Sequence, residues 1–86
     1  MMEILMLNDG TELNGHILPS GDGRTIFVYL HGISLANGFA IFNNADRISV
    51  IREMNHGEEH TYEGFTEMTA INSEYGNCNI TMKKVM

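Results

Sequence analysis

The residues best suited to chemistry are two histidines and a glutamate in one short polar segment. His56, Glu59 and His60 have the H-x-x-E-H spacing, which on a helix places both imidazoles on one face to hold zinc beside a glutamate base. Gly57 and its polar neighbours disfavour a helix, and no third ligand is evident. We therefore expect an exposed polar turn with no catalytic residues and no cofactor. Adventitious metal binding at His56 and His60 is the alternative.

Three arginines are the only cationic side chains before the two C-terminal lysines: Arg24, Arg47 and Arg52. Arginine forms paired hydrogen bonds with phosphate, and aromatic rings such as those of Tyr29 and Tyr62 stack on nucleobases. These five residues are candidates for binding a small anionic ligand, such as a signalling nucleotide, between subunits. Solvated charges and ordinary packing explain the same residues without a ligand.

The stretch between Arg52 and Lys83 has no lysine or arginine, and it has six glutamates. The formal net charge of the chain is −6 at pH 7. Such a field disfavours direct binding of nucleic acid and permits docking on a basic protein surface. A plain solvated strand face is the alternative. The candidate acidic interaction face consists of Glu53, Glu58, Glu59, Glu63 and Glu67.

The single cysteine, Cys78, cannot form an internal disulfide, which small secreted domains usually need. No secretory signal and no apolar run long enough for a membrane span are visible. We therefore expect a cytoplasmic protein of the host cell that makes no membrane contact. Cys78 has the inward phase of a strand and is expected to be a core residue.

The elements that must position these residues are mainly strands. A chain of 86 residues with 43% hydrophobic residues is expected to form a single β-rich domain over residues 1–86. Residues 24–31 are the best strand and are expected in the sheet interior, and residues 60–72 read as one long strand bent at Gly64. About six strands with close turn signals predict a small antiparallel β-sandwich or open barrel with at most one short helix.

Residues 32–45 leave helix and strand open. Ser34 is a suitable N-cap for a short helix in which three apolar residues share one face: Leu35, Phe39 and Phe42. Asn37-Gly38 in the middle favours instead a turn that leads into a strand.

Two segments resemble small proteins of bacteriophages and prophages of Gram-positive gut bacteria. One is residues 7–13 (LNDGTEL), and the other is residues 62–71 (YEGFTEMTAI), followed by a final β run that ends in Lys83-Lys84. The resemblance rests on a turn and a bulged strand, and it brings no catalytic residues. It implies a context in which such proteins inhibit host immunity, by binding a defence protein or by sequestering cyclic-nucleotide signals as oligomers, or form parts of the virion.

Together, these observations predict a non-enzymatic phage-type binding protein that inhibits host immunity. It would sequester a small signalling nucleotide or bind a host defence protein. The alternatives are a phage structural or assembly component and, less favoured, a small zinc-dependent hydrolase. A homo-oligomer is expected, because a chain of this size has a marginal core and exposed strand edges pair readily.

Overall fold

The computed structural model describes residues 3–85, which form seven antiparallel strands in one open sheet and two short helices. The strands are β1 (Glu3–Met6), β2 (Glu12–Pro19), β3 (Thr25–His31), β4 (Val50–Asn55), β5 (Glu58–Glu63), β6 (Glu67–Glu74) and β7 (Asn77–Lys83). Helices α1 (Leu35–Phe42) and α2 (Ala45–Ile48) connect β3 to β4. The strand order is β5-β4-β1-β2-β3-β7-β6. The predicted antiparallel all-β fold is confirmed, with one strand and one helix more than expected.

None of the helices within residues 3–85 is long and apolar enough to cross a bilayer.

Strand β2 changes its partner at Gly15. Leu13 lies opposite Leu5 of β1, whereas Gly15 lies opposite Leu30 of β3. A Cβ atom at position 15 would overlap the carbonyl oxygen of Tyr29, so glycine is needed for this close approach. From this glycine onwards, no described residue of β1 lies opposite β2.

The sheet is strongly curled, because three residues connect its two edge strands. Glu63 ends β5 and Glu67 begins β6, and four Cα–Cα steps of about 3.8 Å span at most about 15 Å. A flat sheet with six strand spacings of about 4.8 Å would separate its edges by about 29 Å. Phe65 in this connection is buried, and its ring meets that of Tyr62 edge to face. The segment predicted as one strand bent at Gly64 is therefore two strands on opposite edges.

The core lies inside the curl and is built from the inward positions of alternating strand residues. Burial raises the pKa of the Cys78 thiol, and the prediction that this residue belongs to the core is confirmed. The side chains removed most completely from solvent are Phe42, Leu5, Ile26, Leu30, Ile48, Ile51, Ile80, Met82, Val28 and Cys78.

Residues 32–45, for which the sequence left helix and strand open, contain helix α1. Ser34 caps it, with its hydroxyl oxygen accepting from the backbone N–H of Asn37 at 3.1 Å. Gly38 does not break the helix. It faces the sheet, where a Cβ atom would come within 2.5 Å of the Cys78 sulfur. Gly38 and Phe42 form the buried face; Leu35 and Phe39 lie on the same side of the helix as Phe42 but at its border, where they are 42% and 46% exposed.

Candidate metal centre

Three metal-ligand side chains from three neighbouring strands converge at one end of the sheet. They are Glu3 of β1, His16 of β2 and His31 of β3, and their ligand atoms all lie within 4.8 Å of one another. The Glu3 Oε1 atom is 3.4 Å from His16 Nδ1 and 3.6 Å from His31 Nε2. A tetrahedral metal with bonds of about 2.1 Å holds its ligand atoms about 3.4 Å apart. The two distances from Glu3 therefore match those of a metal site, and the two imidazole nitrogens lie within 4.8 Å of each other.

The register between β2 and β3 orients the two imidazoles. His16 lies opposite Tyr29, and their rings stack with centroids 4.9 Å apart and planes inclined by 22°. His31 follows Tyr29 by two residues, so it projects from the same face of the sheet. The centroids of the two histidine rings are 5.6 Å apart. The stacked tyrosine thus restricts the ring of His16 at the position where its Nδ1 atom faces Glu3.

A hydrogen bond from β7 orients the ring of His31. Its Nδ1 atom is 3.2 Å from the Oδ1 atom of Asn77. With the amide oxygen accepting from Nδ1–H, the Nε2 atom presents a lone pair towards Glu3. This is the arrangement in which a polar neighbour fixes the tautomer of a metal-binding histidine. A lone pair and a carboxylate oxygen repel each other. The contact between His31 and Glu3 is therefore favourable only when a proton or a metal cation lies between the two atoms.

The Nδ1 atom of His16 gives the strongest argument that the cluster fits a metal ion. It is buried and has no hydrogen-bond partner among the described residues. The Glu3 carboxylate lies at ion-pair distance, 3.4 Å, but not in hydrogen-bonding geometry. A buried polar atom without a partner costs about 1–3 kcal/mol. A metal ion bonded to this nitrogen would remove the cost, so these residues fit a bound metal.

Two imidazoles and one carboxylate suit Zn²⁺, Fe²⁺ and related divalent ions. Three protein ligands leave at least one coordination position for water or another ligand. All three side chains are partly exposed, at 30% for Glu3, 30% for His16 and 41% for His31. The cluster thus lies near the surface, although the Nδ1 atom of His16 itself is buried.

A groove of about 380 Å³ begins at His16 and runs between the second half of β2 and the β4–β5 hairpin. Glu53 of β4 is one of its lining residues and is only 3% exposed. Its Oε2 atom accepts from the backbone N–H of Ile17 at 2.7 Å, and its Oε1 atom accepts from the hydroxyl of Tyr62 at 3.4 Å. Burial and the neighbouring Glu53 charge raise the pKa of Tyr62. The carboxylate of Glu53 thus connects β4 with β5 through Tyr62 and with β2 through Ile17. The N–H of Ile17 lies on the edge of β2 that faces away from β3.

The H-x-x-E-H segment does not form a zinc-binding helix. His56 and Gly57 form the turn between β4 and β5, with φ angles of 53° and 83°. Glu59 and His60 are neighbours on β5, so their side chains project to opposite faces. His60 Nε2 is 3.4 Å from Glu58 Oε1. Residues 56–60 are all exposed, as predicted, but the turn is limited to His56 and Gly57, and residues 58–60 belong to β5.

The three candidate arginines lie on separate elements. Arg47 of α2 donates from Nε to Asp9 at 2.8 Å. Arg52 of β4 has its Nε atom 3.8 Å from a carboxylate oxygen of Glu59. Arg24 lies in the turn between β2 and β3. Arg47 and Arg52 thus have different carboxylate partners, and no contact within residues 3–85 links the three arginines through a shared acceptor.

The two candidate tyrosines also lie apart. Tyr29 stacks on His16 beside the metal cluster, whereas Tyr62 lines the groove and bonds to Glu53. Neither has a candidate arginine as a hydrogen-bond partner among the described contacts. The rings occupy two different environments, and only the first adjoins the metal ligands.

Four of the five residues of the candidate acidic face are exposed: Glu58, Glu59, Glu63 and Glu67. The inclusion of Glu53 in this face is wrong. It has the same inward phase on β4 as the buried Ile51, and its carboxylate is held by the N–H of Ile17. Three of the four exposed glutamates lie on β5 and the fourth begins β6, but Glu58 lines the groove whereas its neighbour Glu59 does not, so they do not all share one face of the strand.

Sequence reasoning missed all three residues of the metal cluster. His16 and His31 each lie in an alternating segment at a position out of phase with the apolar residues, which is a weak signal that both face outward. Glu3 gives no signal, because its place beside them depends on the pairing of β1 with β2. Comparison of the chain with protein-family models, curated proteins and solved structures found no match in any of the three.

Proposed function

We propose that this chain is a metal-dependent binding protein, whose centre is a divalent-metal site formed by Glu3, His16 and His31. The observation that carries the proposal is the buried Nδ1 atom of His16, which has no hydrogen-bond partner within residues 3–85 and lies 3.4 Å from the Glu3 carboxylate. His31, oriented by Asn77, supplies the third ligand. A bound ion would act there as a Lewis acid with an open coordination position.

In this proposal, the open position receives an oxygen atom of a small anionic ligand. Three-ligand sites keep a position for an external ligand, which supports this assignment. Each of Arg47 and Arg52 already has a carboxylate neighbour, which makes the arginines a weaker choice for binding phosphate. In this proposal, the protein would inhibit host immunity by binding this small anionic ligand. The homo-oligomer stays a prediction.

Metal titration of chain stripped with a chelator tests the proposal. Native mass spectrometry and calorimetry with Zn²⁺ should show one ion per chain. The His16→Gln/His31→Gln variant should lose at least 100-fold in affinity, because two of the three ligands are gone. The matched variant His56→Gln/His60→Gln removes as many histidines from the hairpin and should bind like the wild type.

Two results would contradict the proposal. One is the absence of stoichiometric binding by the wild type, and the other is an equal loss in both double variants. Circular dichroism should show that both variants keep the fold. Substitution with Co²⁺ adds an independent readout, since the intensity of its visible bands distinguishes tetrahedral from octahedral ligation.

A zinc-dependent hydrolase is the second candidate function. Its metal would be held by Glu3, His16 and His31 and not by the hairpin histidines His56 and His60. The three-ligand arrangement favours it, because a zinc ion held by Glu3, His16 and His31 would lower the pKa of a water molecule and so supply a nucleophile near neutral pH. Zinc-loaded protein should then hydrolyse activated esters or phosphodiesters with turnover that chelation abolishes. Turnover that persists in Glu3→Gln would rule this candidate out.

A further inference from the structure

We propose that the groove between β2 and the β4–β5 hairpin binds an organic cation, an alkylammonium or alkylguanidinium group, through the carboxylate of Glu53. This inference does not depend on the metal site. The groove has a volume of about 380 Å³, within the usual range of pockets for small molecules, about 300–1,000 Å³. It is therefore large enough for an alkyl chain that carries a charged end.

The charge of Glu53 supplies the main argument. Its carboxylate is removed from water and held by one backbone N–H and one phenol hydroxyl, at 2.7 Å and 3.4 Å. No Lys, Arg or His side chain within residues 3–85 forms an ion pair with it. A buried charge without a countercharge is unfavourable. A cation that enters the groove would supply that countercharge.

The rest of the lining adds acceptors, and none of the lining residues within residues 3–85 is a lysine or arginine. Glu58 adds a second carboxylate at an exposed position. The side-chain oxygen of Asn55 is buried and has no hydrogen-bond partner among the described residues. The ring of Tyr62 offers a π face, which attracts ammonium and guanidinium groups. The other titratable side chains of the lining are three histidines, His16, His56 and His60, and the Nε2 atom of the last is 3.4 Å from Glu58 Oε1.

The wall formed by β2 explains why an organic cation fits better than an inorganic one. Three consecutive residues line that wall: Ile17, Leu18 and Pro19. Leu18 is 52% exposed, and its apolar surface can cover the methylene groups of an alkyl chain. A carboxylate beside an apolar wall matches a ligand that combines a charged head with an aliphatic stem. Free polyamines and the lysine or arginine side chains of a peptide share this chemistry.

The same carboxylate also has a structural role, and the test must separate the two. Glu53 occupies the N–H of Ile17 on the side of β2 that faces away from β3. Glu53→Gln keeps an oxygen that accepts from this N–H and removes the charge. Glu59→Gln removes the same charge from the neighbouring strand, outside the groove lining. The pair therefore distinguishes binding in the groove from the general negative field of the protein.

The experiment measures binding of spermidine, agmatine and a short lysine- and arginine-containing peptide by calorimetry at fixed ionic strength. The wild type should bind at least one of them saturably, with a dissociation constant below about 1 mM. Glu53→Gln should weaken binding at least tenfold, and Glu59→Gln should change it less than twofold. Binding of the free amines alone or of the peptide alone identifies the source of the cation. A chelator is present throughout, so failure of the metal proposal does not affect the result.

Three outcomes would overturn the inference. They are no saturable binding of any probe, equal weakening by both substitutions, and unchanged binding in Glu53→Gln. If Glu53→Gln does not fold, Glu58→Gln and amide chemical-shift mapping of the wild type replace it. The shifts should then concentrate in residues 16–19 and 53–62, and shifts spread over the whole acidic face would reject the groove as the site.

Discussion

The four histidines form two pairs that the chain treats in opposite ways. His56 and His60 are close in sequence but lie on an exposed hairpin, where His60 contacts only its neighbour Glu58 among the described ion pairs. His16 and His31 are far apart in sequence, and the pairing of β2 with β3 brings their rings to 5.6 Å. The difference shows that spacing along a helix identifies ligands only where a helix forms. In a sheet, the register between strands decides which ligands meet.

The largest loss of stability that would distinguish the two histidine pairs is expected from adding one methyl group at Gly15, beside His16. The new Cβ would overlap the Tyr29 carbonyl, so Gly15→Ala should destabilise the fold by about 3 kcal/mol and displace His16 from Glu3. Gly57→Ala in the hairpin has only the cost of a positive φ, about 1–2 kcal/mol. Urea unfolding of both variants measures the difference. If Gly15→Ala and Gly57→Ala lower the free energy of unfolding equally, β2 and β3 can move apart to accommodate the methyl group, and the close approach at Gly15 is not needed.

The next effect concerns the carboxylate ligand. Glu3→Gln replaces an anionic oxygen with a neutral amide and should weaken Zn²⁺ binding by at least tenfold. Glu59→Gln removes the same charge from the other region and should leave affinity within twofold of the wild type. Competition with a chromophoric chelator gives both constants. Similar losses in the two variants would mean that the net charge of the chain, and not the ligand set, attracts the metal.

A smaller effect is expected from the residue that orients His31. Asn77→Ala removes the acceptor of the Nδ1–H and should weaken metal affinity by about tenfold, at the low end of the usual range for such neighbours. Asn79→Ala, two residues further along β7, provides the matched control. Calorimetry with Zn²⁺ compares the two. No difference between them would leave His31 without a tautomer-fixing partner.

The smallest effect tests the turn at the other end of β1 and β2. The N–H and hydroxyl of Thr11, with the Arg47 guanidinium, lower the pKa of Asp9 to about 2 from 3.8. Because the folded pKa is depressed, the stabilisation is present above pH 3.8 and is lost as pH falls towards about 2. Asp9→Asn should therefore remove one component of the acid destabilisation between these values. Thermal melts should show that component unchanged in His16→Gln/His31→Gln, since the turn acts independently of the cluster.

Local signals in the sequence predicted much of the fold. The Asp9-Gly10 turn and the Ser34 cap each depend on hydrogen bonds within a few residues, so their chemistry is visible in the sequence. Strand β3 is visible through its own alternation. Gly64 was misread, because nothing local distinguishes a bend within a strand from a crossing to the other edge of a sheet.

The candidate site was hidden for a related reason. The convergence of Glu3, His16 and His31 requires the register of three strands, which a single sequence does not supply. The burial of Glu53 was accessible in principle, because it is two residues from Ile51 and shares its phase along β4. The charge of the surrounding segment obscured that alternation.

The short crossing from β5 to β6 also constrains the order in which the protein folds. The two flanks, β4–β5 and β6–β7, attach to opposite sides of the central strands β1, β2 and β3, so neither flank can serve as a template for the other. We expect the central strands to form the nucleus and Phe65 to reach its buried position last. Substitutions such as Val28→Ala should then slow folding, whereas Phe65→Leu should mainly accelerate unfolding. Stopped-flow kinetics measures both rates, and the opposite pattern would place the nucleus at the junction of the two edges.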